Sequence, residues 1–149
     1  NLTSLNLSDC KQIKDLSFLQ HCKELTSLNL SSCNLINDFN FLQHCKNLKD
    51  LNLSSCGQIN NLSFLQHCTK LESLDLSSCQ IEDFKFLHQC TTLKDLDLVN
   101  SKFDDLNFFQ YCTKLTSINI SYTSLTEDIR VGILRSKGVE VYGYCGPNL

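Results

Sequence analysis

The amino-acid sequence predicts an α/β solenoid, in which a parallel sheet forms one face and short helical turns form the other. The main observation is a repeat. The pattern L-x-x-L-x-L occurs at near-constant intervals, beginning at Leu2, Leu25, Leu48, Leu71, Leu93 and Leu115. A regular period this short is typical of stacked units that bury a shared core. Within each unit the apolar spacing then changes from every second position to every third or fourth, which indicates a strand followed by a helical turn.

The front half of each unit is predicted to be a short strand. In the second unit, Leu28 and Leu30 alternate with Asn29. An alternation of period two gives a strand one buried face. We therefore expect Leu28 and Leu30 to point into the core and Asn29 to point outward.

The back half of each unit is predicted to return through a short helical turn. Its apolar residues lie three apart, as in Leu16, Leu19 and Cys22, which is helical spacing. A side chain with an oxygen atom precedes each turn, where it can accept a hydrogen bond from the free amides of a helix start. These residues are Asp15, Asp38, Asn61, Asp83 and Asp105.

The pattern changes after the sixth unit, in the stretch SLTEDIRVGILRSKG. Ser124 and Glu127 fit a capping box, Arg135 and Lys137 lie in the last turn, and Gly138 marks a stop. These signals predict an α-helix that closes the C-terminal end of the core.

A final strand is predicted in VEVYG, with Val139 and Val141 as its inward residues, in the places that Ile118 and Ile120 occupy one unit earlier. The sequence thus divides into six repeats over residues 1–125 and a capping helix, last strand and tail over residues 126–149. No comparable cap precedes Leu2, so we expect further sequence or a partner to cover the first unit. Because the chain begins at Asn1 and has no methionine, we expect a fragment or processed product of a longer protein.

These features together resemble the leucine-rich repeat family, specifically the short repeats of the bacterial internalin and phosphatase-regulator type, LxxLxLxxNxIxDxxxLxxLxxL. The resemblance extends from Leu2 to about Leu125. It implies a right-handed superhelix with the sheet on the concave face and the turns on the convex face. It also implies a protein-interaction module.

The sequence departs from that consensus where asparagine is usual. The small residues found there are Cys10, Cys33, Cys56, Cys79, Ser101 and Thr123. Cysteine at this place is closer to the longer repeats of F-box proteins. We expect each side chain to enter the interior at the strand exit and to stack on its copy in the next unit, about 5 Å away.

A second cysteine column closes the helical turns, at Cys22, Cys45, Cys68, Cys90 and Cys112. Unpaired cysteine behaves as a small buried hydrophobe, and we predict reduced thiols with no metal or other cofactor. Disulfides are the competing interpretation, but parallel stacked side chains do not present the torsion that a disulfide needs. Zinc would call for C-x-x-C or a Cys/His cluster, and the sequence contains no C-x-x-C.

Three histidines, His21, His44 and His67, recur once in each of the first three units and are expected to form a ladder on the convex side. Repetition alone explains them, and a role such as pH sensing stays open as an alternative.

Composition excludes several function classes. A net charge of -3 and five glycines leave no broad basic surface for nucleic acid or anionic lipid and no phosphate-binding glycine loop. No nucleophile motif or convergent acid pair stands out, and no apolar run is long enough to span a membrane. We therefore expect neither an enzyme nor a nucleic-acid-binding or membrane protein.

The outward strand residues form two regular columns on the sheet face. The first contains Ser4, Ser27, Asp50, Ser73, Asp95 and Ser117, and the second contains Asn6, Asn29, Asn52, Asp75, Asp97 and Asn119. A third column is mostly serine, and a fourth has serine in the second to fourth units. The later units depart from this repetition, and there the sequence predicts an acidic strip edged by apolar and aromatic residues. Neutral drift on a solvated surface is one interpretation of these differences, and a partner-binding region is the other. The predicted partner-binding residues are Asp50, Asp75, Asp95, Asp97, Val99, Asn100 and Tyr122.

Two function hypotheses follow. The first is a non-catalytic module that binds a protein partner, with a basic or amide-rich patch, through the concave face. The second is a structural or targeting segment of a larger protein whose activity lies elsewhere. Ten cysteines, and six N-glycosylation sequons that would place glycans over the strand face, favour a reducing compartment. The cytoplasm, or the host cytoplasm for a bacterial effector, satisfies both conditions.

Overall fold

The structure, a computed structural model, describes residues 1–57, 59, 61–81, 83–103, 106–126 and 128–143. Seven short strands form one parallel sheet in chain order. They are β1 (Ser4–Asn6), β2 (Ser27–Asn29), β3 (Asp50–Asn52), β4 (Ser73–Asp75), β5 (Asp95–Asp97), β6 (Ser117–Asn119) and β7 (Glu140–Tyr142). The predicted α/β solenoid is confirmed.

The strand register stacks equivalent residues of successive units. Leu28 pairs with Leu5 on one side and with Leu51 on the other. Leu28 and Leu51 are at most 2% exposed, whereas Asn29 is half-buried on the opposite face. The predicted inward and outward assignment is therefore correct.

The helical returns are 3-10 turns, too short to develop the hydrogen bonding of an α-helix. They span Ser17–His21, Asn40–His44, Ser63–His67, Lys85–Gln89 and Asn107–Gln110. As predicted, a side-chain oxygen just before the turn accepts the amide of the first turn residue. Asp15 accepts from Ser17 at 2.7 Å, and Asp38, Asn61 and Asp83 make the equivalent bond at 2.8 Å. Asp105 lies outside the described residues.

The predicted α-helix near the C-terminus is present as α1 (Ile129–Ser136), but its predicted start is wrong. Asp128 is the N-cap, because its Oδ1 accepts the amide of Arg130 at 2.8 Å. Ser124 lies in the preceding turn, and Glu127 lies outside the described residues. The helix buries Val131 and Leu134 against the core.

The predicted alignment of the last strand, with Val139 in the place of Ile118, is also wrong. Val141 pairs with Ile118, and Tyr142 pairs with Asn119. Val139 therefore precedes the strand, and its side chain is buried at 8% exposure. The correct register brings Tyr142 onto the outward face beside Asn119.

The cysteines at the strand exits join successive units. Each thiol donates to the carbonyl of the last strand-side leucine in the unit before it: Cys33 to Leu7 at 3.1 Å, Cys56 to Leu30 at 3.0 Å and Cys79 to Leu53 at 3.1 Å. The Ser101 hydroxyl donates to Leu76 at 2.9 Å in the same way. The small residue thus bonds backbone of the neighbouring unit, a contact more specific than the stacking expected from the sequence.

The second cysteine column is buried inside the turns. Burial raises the pKa of Cys68 and Cys90 to about 12 and that of Cys45 to about 11. All nine cysteines among the described residues are free, and Cys10 and Cys22 are the half-buried members. High pKa values keep the buried thiols protonated at neutral pH, which makes them poor nucleophiles.

Exchanging the strand-exit cysteine for serine should be mild. The Cys56→Ser hydroxyl can donate to Leu30 as Ser101 donates to Leu76, so we expect a loss of no more than about 1 kcal/mol. Leu51→Asp puts a carboxylate without a partner on the buried strand face and should unfold several units. Thermal unfolding followed by circular dichroism compares them, and equal losses would contradict the inward assignment of Leu51.

Thiol reactivity should follow burial. In the folded protein at pH 8, a disulfide reagent such as DTNB should modify Cys10 and Cys22 but spare Cys45, Cys56 and Cys90. In denaturant, all ten cysteines of the chain should react after a reducing preparation. Fewer than ten reactive thiols, or stoichiometric zinc by mass spectrometry, would contradict the assignment of unpaired structural cysteines.

Candidate partner-binding surface

The outward side chains of the sheet line a shallow groove of about 500 Å³ that extends from β2 to β7. Four of the predicted site residues lie along it, namely Asp50, Asp75, Asp95 and Asp97. The groove gathers carboxylates in its later half because the second column changes from asparagine to aspartate at β4 and β5.

The second column is held by its own backbone. At the end of each strand the chain turns, so the amide two positions further on points back at the side chain. The Ser31 amide donates to Oδ1 of Asn29, and the Val99 amide donates to Oδ1 of Asp97, both at 2.9 Å. Asparagine and aspartate therefore meet the same local requirement, since only the oxygen is used.

The pairing of Asp75 with Asp97 is the unusual feature of this column. The two residues are register partners on adjacent strands. Amides on either side partly compensate: Asn52 Nδ2 donates to Asp75 Oδ2 at 2.9 Å, and Asn119 Nδ2 donates to Asp97 Oδ2 at 3.4 Å. Burial is the main cause that raises the pKa of Asp97, and the charge of Asp75 adds to it. The hydrogen bond from the Val99 amide acts in the opposite direction but does not cancel the increase.

The first column adds two more exposed carboxylates. Ser117 Oγ donates to Asp95 Oδ1 at 2.6 Å, and Asp50 is exposed on β3. The lysines next to this column are occupied elsewhere, because Lys49 and Lys94 both bind Glu72. Within the described part of the chain, none of the four groove aspartates has an ion-pair partner.

The other three predicted residues lie beyond the strand ends. Val99, Asn100 and Tyr122 occupy the turns that leave β5 and β6, and they are not among the residues that line the groove. Tyr122 is exposed, and both Asn100 and Tyr122 have a positive φ, of 54° and 59°. The structure therefore divides the predicted site into an acidic groove and an adjoining turn edge.

Sequence reasoning missed one groove residue. Tyr142 closes the C-terminal end of the groove, where its hydroxyl donates to Glu140 Oε2 at 2.7 Å. The signal was available, because the interval from Asn119 to Tyr142 equals the interval from Asn6 to Asn29 in the early units. Aligning Val139 with Ile118 concealed it.

The histidine ladder lies away from this groove. His21, His44 and His67 are exposed at the ends of their 3-10 turns, whereas His88 is half-buried with its ring centroid 3.8 Å from that of Tyr111. No group of three or more metal-ligating side chains occurs in the ranges that the structure describes. Among the helices in these ranges, none has both the length and the apolar character needed to cross a bilayer.

Comparison with known families agrees with this geometry. The family profile described as leucine rich repeats, in two copies, matches residues 1–44, 46–88 and 69–111. The chain belongs to the leucine-rich repeat family. Leucine-rich repeat domains are typical protein-interaction modules and are typically not enzymes. No curated protein matches the chain significantly.

Solved leucine-rich repeat structures include two internalins from Listeria monocytogenes. Internalin C2 superposes with a TM-score of 0.76 at 30% identity, over 83% of this chain and 53% of its own. A second internalin, inlF, superposes with a TM-score of 0.72 at 26% identity, over 80% of this chain and 34% of its own. This repeat domain thus spans between a third and about half of the length of these relatives.

Replacing Asp97 should stabilise the repeat domain at neutral pH. The folded protein holds the Asp97 proton more tightly than the unfolded chain does, so stability increases as the pH falls through the raised pKa toward the ordinary value of 3.8. Asp97→Asn should gain about 0.2–1 kcal/mol at pH 7, and this gain should vanish below about pH 4. Denaturant unfolding at both pH values tests this.

Asp50→Asn is the matched control, because Asp50 is exposed and its register partners, Ser27 and Ser73, are uncharged. It should leave the free energy of unfolding unchanged at pH 7. A loss of stability in Asp97→Asn, or equal effects of the two substitutions, would show that the Asp75 and Asp97 pairing carries no repulsion.

Proposed function

We propose that this chain is a non-catalytic interaction module that binds a protein partner through the C-terminal half of its concave sheet face. The observation that carries the proposal is the Asp75 and Asp97 pair. Asparagine makes the same backbone bond elsewhere in this column, as at Asn29. Two adjacent aspartates therefore add repulsion that the fold does not need, and binding a cationic partner is a reason to keep them.

The partner offers a basic or amide-rich patch to the groove. Asp50 and Asp95 extend the negative charge into the first column, and the nearest lysines are bound to Glu72. Lysine and arginine side chains on the partner would occupy the carboxylate lone pairs that the flanking amides leave open. Such contacts are exposed, so salt should weaken them.

The second candidate is a structural or targeting segment of a larger protein. It is favoured by the fraction of internalin C2 that this chain covers, 53%. The two functions are compatible, because a segment can bind a partner while another domain carries the activity. The free, mostly buried thiols support a reducing compartment for either one.

A defined probe tests the binding surface directly. A phage-displayed library of random dodecapeptides would be selected on the folded chain, and the enriched peptides measured by fluorescence anisotropy. We expect enrichment in lysine and arginine. Asp75→Asn with Asp97→Asn should weaken these peptides about tenfold or more, which corresponds to about 1.4 kcal/mol.

The control must remove the same charge elsewhere. Asp9→Asn with Glu24→Gln changes the net charge equally, and both side chains are exposed away from the groove. It should change peptide affinity less than twofold. The proposal fails if the control pair weakens binding as much as the groove pair does, or if only substitutions at His21, His44 and His67 weaken it.

A further inference from the structure

The turns that leave the strands impose one backbone conformation on a whole row of residues. Their φ angles fall between 54° and 61°, the left-handed region, at Asp9, Ser32, Ser55, Ser78, Asn100 and Tyr122. At the first five of these positions the backbone amide donates a hydrogen bond to a carbonyl of the next unit. The Ser32 amide donates to the Ser54 carbonyl and the Asn100 amide donates to the Ser121 carbonyl, both at 2.9 Å. The row continues the sheet ladder beyond the strands.

Five of the six residues have short polar side chains, and two of them, Asp9 and Asn100, are of the types that adopt a positive φ most readily. Aspartate, asparagine and, less readily, serine tolerate a positive φ because their side chains are short and can bond locally. Tyrosine is bulky and is strained there. Tyr122 is therefore the exception in the row, next to Asn100, which shows that the turn accepts an unstrained alternative.

Burial does not account for Tyr122. Its side chain is 58% exposed, so most of the ring remains in contact with water. In the preceding unit, Val99 likewise replaces the serine of the earlier units and is half-buried. Two larger residues thus occur in neighbouring columns of the turn edge, where the early units carry small polar residues.

We propose that Tyr122 is an aromatic anchor for the protein partner, held on the turn edge beside the acidic groove at a loss of stability. The inference rests on the proposed function and extends it. The partner that presents cations to Asp97 also places an aliphatic or aromatic side chain against Tyr122 and Val99. Tyrosine is enriched among the residues that dominate binding in protein interfaces.

The test separates strain from binding with two substitutions. Tyr122→Asn places at this position the residue type that Asn100 has in the preceding unit. Because asparagine tolerates a positive φ, the substitution should raise the melting temperature by about 2–4 °C. It should also weaken the basic dodecapeptides selected on the wild-type chain by about tenfold. Tyr122→Phe keeps the ring that the partner would contact, so it should keep wild-type affinity.

Tyr142→Asn is the control for removing an exposed tyrosine from an unstrained strand position, and it should not raise the melting temperature. The inference is overturned if Tyr122→Asn lowers the melting temperature, because the ring is then structural. It is also overturned if Tyr122→Asn binds like wild type while Asp75→Asn with Asp97→Asn does not; the proposed function then stands without Tyr122. If both variants bind like wild type, the proposed function fails as well.

Discussion

Each strand residue of this solenoid lies beside its own copy in the next unit, because the strands pair in parallel at an offset of one repeat. This register determines the rest of the structure. Inward copies stack into the leucine columns, the strand-exit thiol of Cys56 reaches the Leu30 carbonyl, and outward copies form continuous rows. A favourable contact can therefore be repeated from unit to unit. Two like charges at equivalent positions of adjacent units, in contrast, lie next to each other.

The periodicity of the sequence determines most of the fold. The alternation in the strands and the oxygen-bearing residue before each turn both recur in several units. An assignment that is ambiguous in one unit can therefore be checked against the others. The C-terminal end lacks this redundancy. The start of α1 depends on one bond from the Arg130 amide to Asp128, and a valine pattern alone could not decide whether Val139 or Val141 pairs with Ile118. Local signals without copies are the ones that sequence reasoning misread.

The acidic part of the site could be predicted from the sequence, because residues at equivalent positions of successive repeats are neighbours in the sheet. What the sequence could not give is the backbone role of each position. It could not show that Asn29 and Asp97 use one oxygen for the same bond, nor that Tyr122 has a φ of 59°. Both facts bear on how the site residues are interpreted. The effect of a residue on stability has to be compared with that of the residue that fits the local backbone best.

Both departures from that preference occur in the later units. The early units carry asparagine in the second column, which avoids charge repulsion, and short polar residues in the turns. The later units carry the Asp75 and Asp97 pair, which the register does not require, and Tyr122 at a positive φ. Asp75 and Asp97 line the groove together with Asp50, Asp95 and Tyr142, and Tyr122 lies on the adjoining turn edge. The proposed binding surface and these losses of stability thus occur in the same part of the chain, as expected where recognition and stability make opposing demands.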